Sequence, residues 1–183
     1  MNDAETVPTE MGSPSSTARP AHTPPPRHRA VAALRHALEA ANPGTLAALR
    51  RADPASPPAA FYRVTVGVLD EHLPEGGMRR DADERRWAVV ISAMASAHGL
   101  LKPVPFGEAL AKAGVAEMRV VRLLEGHDDQ LADLVRNVVH QLVQRAQPFD
   151  ANDLADLVVT DGTERGRESR RRIARSFYRH EGT

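Results

Sequence analysis

From Val31 to Phe177 the apolar residues return at every third or fourth position, and this spacing confines the chain to helices packed face to face. Val31, Leu34, Leu38 and Ala41 form the first stripe, which Asn42-Pro43-Gly44 stops. Thr45 can cap a short helix bearing Leu46 and Leu49, ending at Asp53-Pro54. Phe61, Val64 and Val68 continue the helical step, but the alternation Val64, Val66, Val68 suits a strand equally. After a loop from Pro74 to Gly77, Asp83 opens a helix with Trp87, Val90, Ile91, Met94 and Ala97 on one side, closed by Gly99. Pro103 and Pro105 then break the pattern. A short helix runs through Leu110 to Gly114, and the next carries Met118, Val121 and Leu124. A longer one carries Leu131, Leu134, Val135, Val138 and Leu142. Asp150 can cap the helix of Leu154, Leu157 and Val158, and a last helix spans about Glu164 to Arg179.

The expected fold is therefore all-α: two small helical lobes, 29–102 and 103–183, packed as a bundle whose last helix is basic. Ahead of them, residues 1–28 hold six of the 14 prolines among Ser, Thr and Gly, too little apolar surface to offset the entropy of ordering. This tail is expected to be disordered, either idle or offering Pro24-Pro25-Pro26 to a proline-recognising partner.

The chain has no cysteine, which excludes a disulfide scaffold, thiol catalysis and thiolate metal sites. Aromatics at 4 % argue against an aromatic-rich β-sandwich and against a stacking platform for bases. No apolar run approaches the roughly 20 residues that span a bilayer, and no basic-then-apolar signal pattern follows Met1, so no membrane is involved and the cytoplasm is the expected compartment.

Charge is more informative than its neutral total, 24 basic against 24 acidic residues. From Glu108 to Asp161 there are ten acids and five bases; from Gly162 onward, seven arginines face three glutamates. The last helix is the sharpest case. At about 100° per residue Ile173 and Phe177 face inward together, while Arg171, Arg172, Arg175 and Arg179 fall on the opposite side. Guanidinium is permanently charged and forks onto phosphate oxygens, so this rail suits a nucleic-acid backbone. The alternative is a solvated face with Glu168 paired to Arg172. Further basic pairs are Arg50-Arg51, Arg79-Arg80 beside Gly76-Gly77, Arg85-Arg86, and Arg119 with Arg122 one turn on.

No HExxH, P-loop or GxSxG motif is present. His98, His127, Asp128 and Asp156 imitate the order of metal ligands in helical phosphohydrolases. However, His127-Asp128 follows Gly126 at a helix break, where Asp128 reads better as the start of a helix. No catalytic residue, metal or cofactor is expected.

Leu49-Arg50-Arg51-Ala52 and then Ala60-Phe61-Tyr62-Arg63 resemble the opening of the CasB family. Gly107-Glu108-Ala109-Leu110-Ala111, followed by Glu117 to Leu124, resembles its middle signature. Pro148-Phe149-Asp150 with Leu154-Ala155, and the ending Arg171 to Tyr178, resemble its later steps. The likeness runs in order from about Arg35 to Arg179; Ala151 and Ile173 stand where the family often has tryptophan.

CasB is the small subunit of the type I-E CRISPR surveillance complex, Cascade. The resemblance implies an all-helical, two-lobed, non-catalytic protein that binds nucleic-acid backbone and steadies the guide RNA–target DNA duplex and the displaced strand in antiviral defence. Base pairing by the guide would read sequence, leaving the protein to hold phosphates. By the same resemblance Arg50, Arg51, Arg79, Arg80, Arg119, Arg122, Arg171, Arg172 and Arg175 carry that binding. The implied partners are guide RNA, target DNA, other Cascade subunits and a second copy of the chain, with the acidic stretch Glu108 to Asp161 facing protein neighbours. A stand-alone helical DNA-binding regulator is the alternative, but no helix-turn-helix reading head is apparent.

Overall fold

The computed structural model describes residues 25–73 and 76–182, and among them nine helices and no strand beyond two isolated bridges. The helices are α1 (Pro26–Glu39), α2 (Pro43–Arg50), α3 (Ala59–Thr65), α4 (Gly77–Ser96), α5 (Phe106–Lys112), α6 (Glu117–Glu125), α7 (Asp128–Gln144), α8 (Ala151–Val159) and α9 (Glu164–His180). The all-α class is as expected. Residues 1–24 of the proline-rich stretch, with Pro74 and Glu75, lie outside the described residues.

Four local expectations change. Pro26, Arg27 and His28, expected in the tail, form the first turn of α1; proline suits that position because its missing N–H would have no partner there. Asn42 and Pro43 start α2 rather than only stopping α1. The Asn42 side chain accepts from Thr45 N at 2.8 Å, so Asn42 and not Thr45 is the cap. Of the ambiguous valines only Val64 is helical: it is buried in α3, while Val66 lies just past the helix end, 69 % exposed, and Val68 follows in a turn. Helix α4 begins at Gly77, six residues before Asp83, because its first turns carry no apolar stripe to announce them.

Buried side chains from Ala30 to Phe177 form one continuous core. At its centre α4 packs on α2, α7 and α8, burying Trp87, Val90, Ile91 and Met94. The segment around Pro103 is tied to the α7–α8 loop by backbone hydrogen bonds, Lys102 N to Phe149 O at 3.0 Å and Asp150 N to Val104 O at 2.7 Å. Phe106 and Phe149 meet edge to face beneath it, with centroids 5.4 Å apart. In α6 the buried residues are Val120 and Leu123, whereas Met118, expected on the inner stripe, is 64 % exposed.

The tightest helix pair is α5 on α9. Gly107 permits it: a Cβ there would lie 2.1 Å from the Ile173 carbonyl oxygen and 2.8 Å from Phe177 N. With Ile173 and Phe177 clamped against α5, the opposite side of α9 is turned to solvent.

Candidate nucleic-acid interface

Helix α9 starts cleanly because Thr163 accepts from Gly166 N at 3.2 Å and donates to Thr160 O at 2.6 Å. Its inner line is Gly166, Ser169, Ile173 and Phe177. Arg171, Arg175 and Arg179 stand exposed on its outer side, along an open groove of about 680 Å³ walled by Pro103 and Pro105. Among the described residues Arg175 and Arg179 have no hydrogen-bond or ion-pair partner. The Arg167 guanidinium, which pairs with Glu164 directly, is the main reason that the Glu164 carboxyl sits below its ordinary pKa, and the nearby charge of Arg171 adds to the effect.

Arg172 differs. It pairs with Asp153 at 3.1 Å and Asp156 at 2.9 Å, both on α8. The pair with Glu168 that the solvated-face alternative would supply does not form; Arg172 turns to α8 instead. Asp156 is buried and also receives the Arg27 guanidinium and His28 Nε2, the latter at 3.1 Å, from the first turn of α1. Burial pushes its carboxyl pKa up, but the hydrogen bonds and charges of Arg27 and His28 outweigh this and hold it below the ordinary value. Arg172 is in turn held above its ordinary value: desolvation lowers it, and the two aspartates more than compensate. Asp153 also accepts the Phe106 N–H at 2.9 Å. This cluster therefore joins α1, α5, α8 and α9, and Arg172 is a structural tie that engages Nε and Nη2 with aspartates while its half-exposed side chain also lines the groove.

A second network explains the histidine–aspartate pair. Buried Asp161 accepts from Asp128 N at 3.2 Å, contacts His127 Nδ1 at 2.8 Å and pairs with Arg170 at 2.9 Å. The Asp161 side chain therefore caps α7, and His127 and Asp128 belong to a helix start. Asp156 and His127 thus sit in separate networks, and among the described residues no group of three or more His, Asp or Glu is placed to hold a metal ion. Arg170, which sequence reasoning passed over, donates to Leu124 O at 2.8 Å and Gly126 O at 2.6 Å. Its signal was its place on the helical wheel, nearer to Ile173 than to the outer arginines.

The other candidate arginines are dispersed. Arg50, at the end of α2, donates to Ala95 O at 2.9 Å, while Arg51 is exposed beside it. Arg79 and Arg80 lie on the first turn of α4, where Arg80 pairs with Asp70 and Glu84. From Arg80 to Ala95 is fifteen residues, about 22 Å along the helix, so these two pairs mark opposite ends of α4. On α6, Arg119 donates to Gln141 Oε1 at 2.7 Å and Arg122 is exposed. Among the described residues, the arginines implied by the family resemblance that share one groove are those of α9, Arg171, Arg172 and Arg175, joined there by Arg179.

Two solved structures share this architecture. M. ruber CasB matches with a TM-score of 0.60 and 20 % identity, over 83 % of this chain and 93 % of that one. A chain of the E. coli Cascade bound to a PAM-containing dsDNA target matches with a TM-score of 0.57 and 22 % identity, over 81 % and 96 % of the two chains. No curated protein sequence matches. The family model for CRISPR-associated protein Cse2 matches residues 45–178, from within α2 to near the end of α9, and takes in Arg171 and Arg175. Sequence motifs, helix order and family model agree, and the chain belongs to the Cse2 family, the CasB family of the sequence resemblance.

Proposed function

We propose that this chain is the small subunit of a type I-E Cascade ribonucleoprotein in the cytoplasm, and that it does no chemistry. It holds sugar-phosphate backbone so that the guide RNA–target duplex and the displaced strand stay in place. The observation that carries this reading is the groove beside α9, where Arg175 and Arg179 present unpaired guanidinium groups next to Arg171. An exposed arginine without a carboxylate partner gains nothing for the fold, but releases counterions when it meets a phosphate. Membership of the Cse2 family and the likeness to a chain of DNA-bound Cascade support the same assignment.

Within this reading the α9 arginines are the principal contacts. Arg51, Arg79, Arg119 and Arg122 reach backbone elsewhere on the surface, and Arg50, Arg80 and Arg172 serve mainly to hold helices. The halves 29–102 and 103–183 are its two lobes, sharing one core. The acidic stretch Glu108 to Asp161 meets other Cascade subunits or a second copy of the chain.

The test replaces Arg171, Arg175 and Arg179 with alanine and measures binding against salt. Each lost phosphate contact should reduce the slope of log K against log salt by about 0.9 on duplex DNA or about 0.7 on a single strand. Assembly of the variant into Cascade should persist while the displaced strand is held less well. An unchanged slope would reject the assignment.

A further inference from the structure

The low aromatic content excludes a row of stacking rings, yet one ring stands exposed beside the arginine face. Tyr178 is 48 % exposed and lies one turn after Arg175 on α9. Two contacts fix it. Its hydroxyl donates to Glu117 Oε1 of α6 at 2.9 Å, and its ring meets that of buried Phe177 in a T-shaped contact, with centroids 5.4 Å apart and planes at 79°. A side chain already held at its hydroxyl and against a neighbouring ring loses little freedom when something stacks on its exposed surface. The hydrogen bond to Glu117 also raises the phenol pKa above its ordinary value of 10.0, so the ring is neutral beside a phosphate chain. Met118, next to Glu117, is 64 % exposed, against the helical stripe on which it was expected. A polarizable side chain suits the edge of an aromatic or base ring.

Cations in a row with a flat, exposed ring beside them match the chemistry of a single strand. Its phosphates need charge, and its unstacked bases need a π-face. A base inside a duplex is already stacked and offers Tyr178 nothing.

We propose that Tyr178 is a stacking subsite for one unpaired nucleobase, belonging to a single strand whose phosphates lie on Arg171, Arg175 and Arg179. This rests on the backbone-binding reading above and adds to it a preference for unpaired strand.

Two labelled probes of equal length separate the contributions: oligodeoxythymidine, and the same sugar-phosphate chain without bases. With the purified full chain, Tyr178→Ala should weaken oligodeoxythymidine binding by about 5- to 150-fold, the effect of losing one stacked base. It should leave the abasic probe and the salt slope unchanged, because stacking releases no counterions. Tyr178→Leu, which keeps an apolar contact with Phe177, should show the same loss, and Tyr178→Trp should restore binding. Equal weakening on both probes, or undiminished binding of oligodeoxythymidine by the alanine and leucine variants, overturns the subsite. If replacing the three arginines leaves abasic binding unaffected, the backbone reading fails separately; a parent chain that binds neither probe overturns both.

Discussion

Arg172 and Arg175 stand one turn apart on α9, yet the two sides of the helix they occupy use the same functional group for opposite ends. Arg172 lies where α1, α8 and α9 converge, and its fork is shared between Asp153 and Asp156. Arg175 lies over the groove with no partner among the described residues. What separates them is the carboxylate content of the facing element. Helix α8 places Asp153 and Asp156 within ion-pair reach of Arg172, while Arg175, lining the same groove, has no carboxylate within that reach among the described residues. A guanidinium that a buried carboxylate already satisfies has little left to offer phosphate, so the first side stabilises the fold and the second is available for a partner.

Removing the central carboxylate should break this contrast most severely. Asp156→Ala leaves Arg27, His28 and Arg172 facing a buried gap, and loss of one partner from a buried ionic cluster costs about 3–5 kcal/mol. Chemical denaturation should show that loss, and a change of less than about 1 kcal/mol would mean that water replaces the carboxylate freely. The same group predicts the acid limb of stability. Its carboxyl pKa is lower in the fold than its ordinary 3.8, so its contribution is complete above that value and disappears as pH falls through the folded pKa. Asp161, whose pKa is also lowered, acts in the same direction: burial raises it, but the Asp128 N–H, His127 and Arg170 more than compensate. Stability of the parent should therefore drop below about pH 4, and Asp156→Asn should flatten part of that drop.

Comparing Arg172→Ala with Arg175→Ala sharpens the distinction at a smaller scale. The first removes two ion pairs at a half-exposed guanidinium, about 1–2 kcal/mol once solvent screening is allowed for. It should change the salt slope for nucleic acid little. The second should leave the denaturation midpoint where it was and reduce the slope by about 0.7–0.9. Equal behaviour of the two variants in both measurements would erase the distinction between the two sides of α9.

How much of this was legible in the sequence follows from the range of the forces involved. Apolar periodicity reports burial, so the helices around Trp87, Leu131 and Leu154 could be read directly. It is silent where a helix begins without a buried apolar stripe, which is why α4 from Gly77 to Ala82, whose Met78 is 90 % exposed, does not show in the spacing. It also could not tell the stripe of Val120 and Leu123 from that of Met118 and Val121, since both keep helical steps and only docking against α7 and α9 selects one. The basic face of α9 was visible on a helical wheel. The fate of Arg172 was not, because Asp153 and Asp156 are nineteen and sixteen residues away and α1 brings Arg27 to Asp156 from 129 residues away. Charge counted along a chain cannot show which charges neutralise one another across it.

The smallest expected effect tests whether the outer side is tuned as well as vacant. Glu168 lines the same groove as Arg171, Arg175 and Arg179, and the helical spacing would let it pair with Arg172, which turns instead to α8. Its carboxylate therefore faces the path of any bound phosphate chain without being occupied by Arg172. Repulsion between exposed like charges is weak and screened within about 8–10 Å at ordinary salt. Glu168→Gln should thus strengthen single-strand binding by only about twofold at low salt, the scale of one exposed pair, and the gain should vanish as salt rises. Weaker binding in this variant would show that Glu168 orients the arginines; a gain that persists at high salt would point to a direct contact between the new amide and the strand.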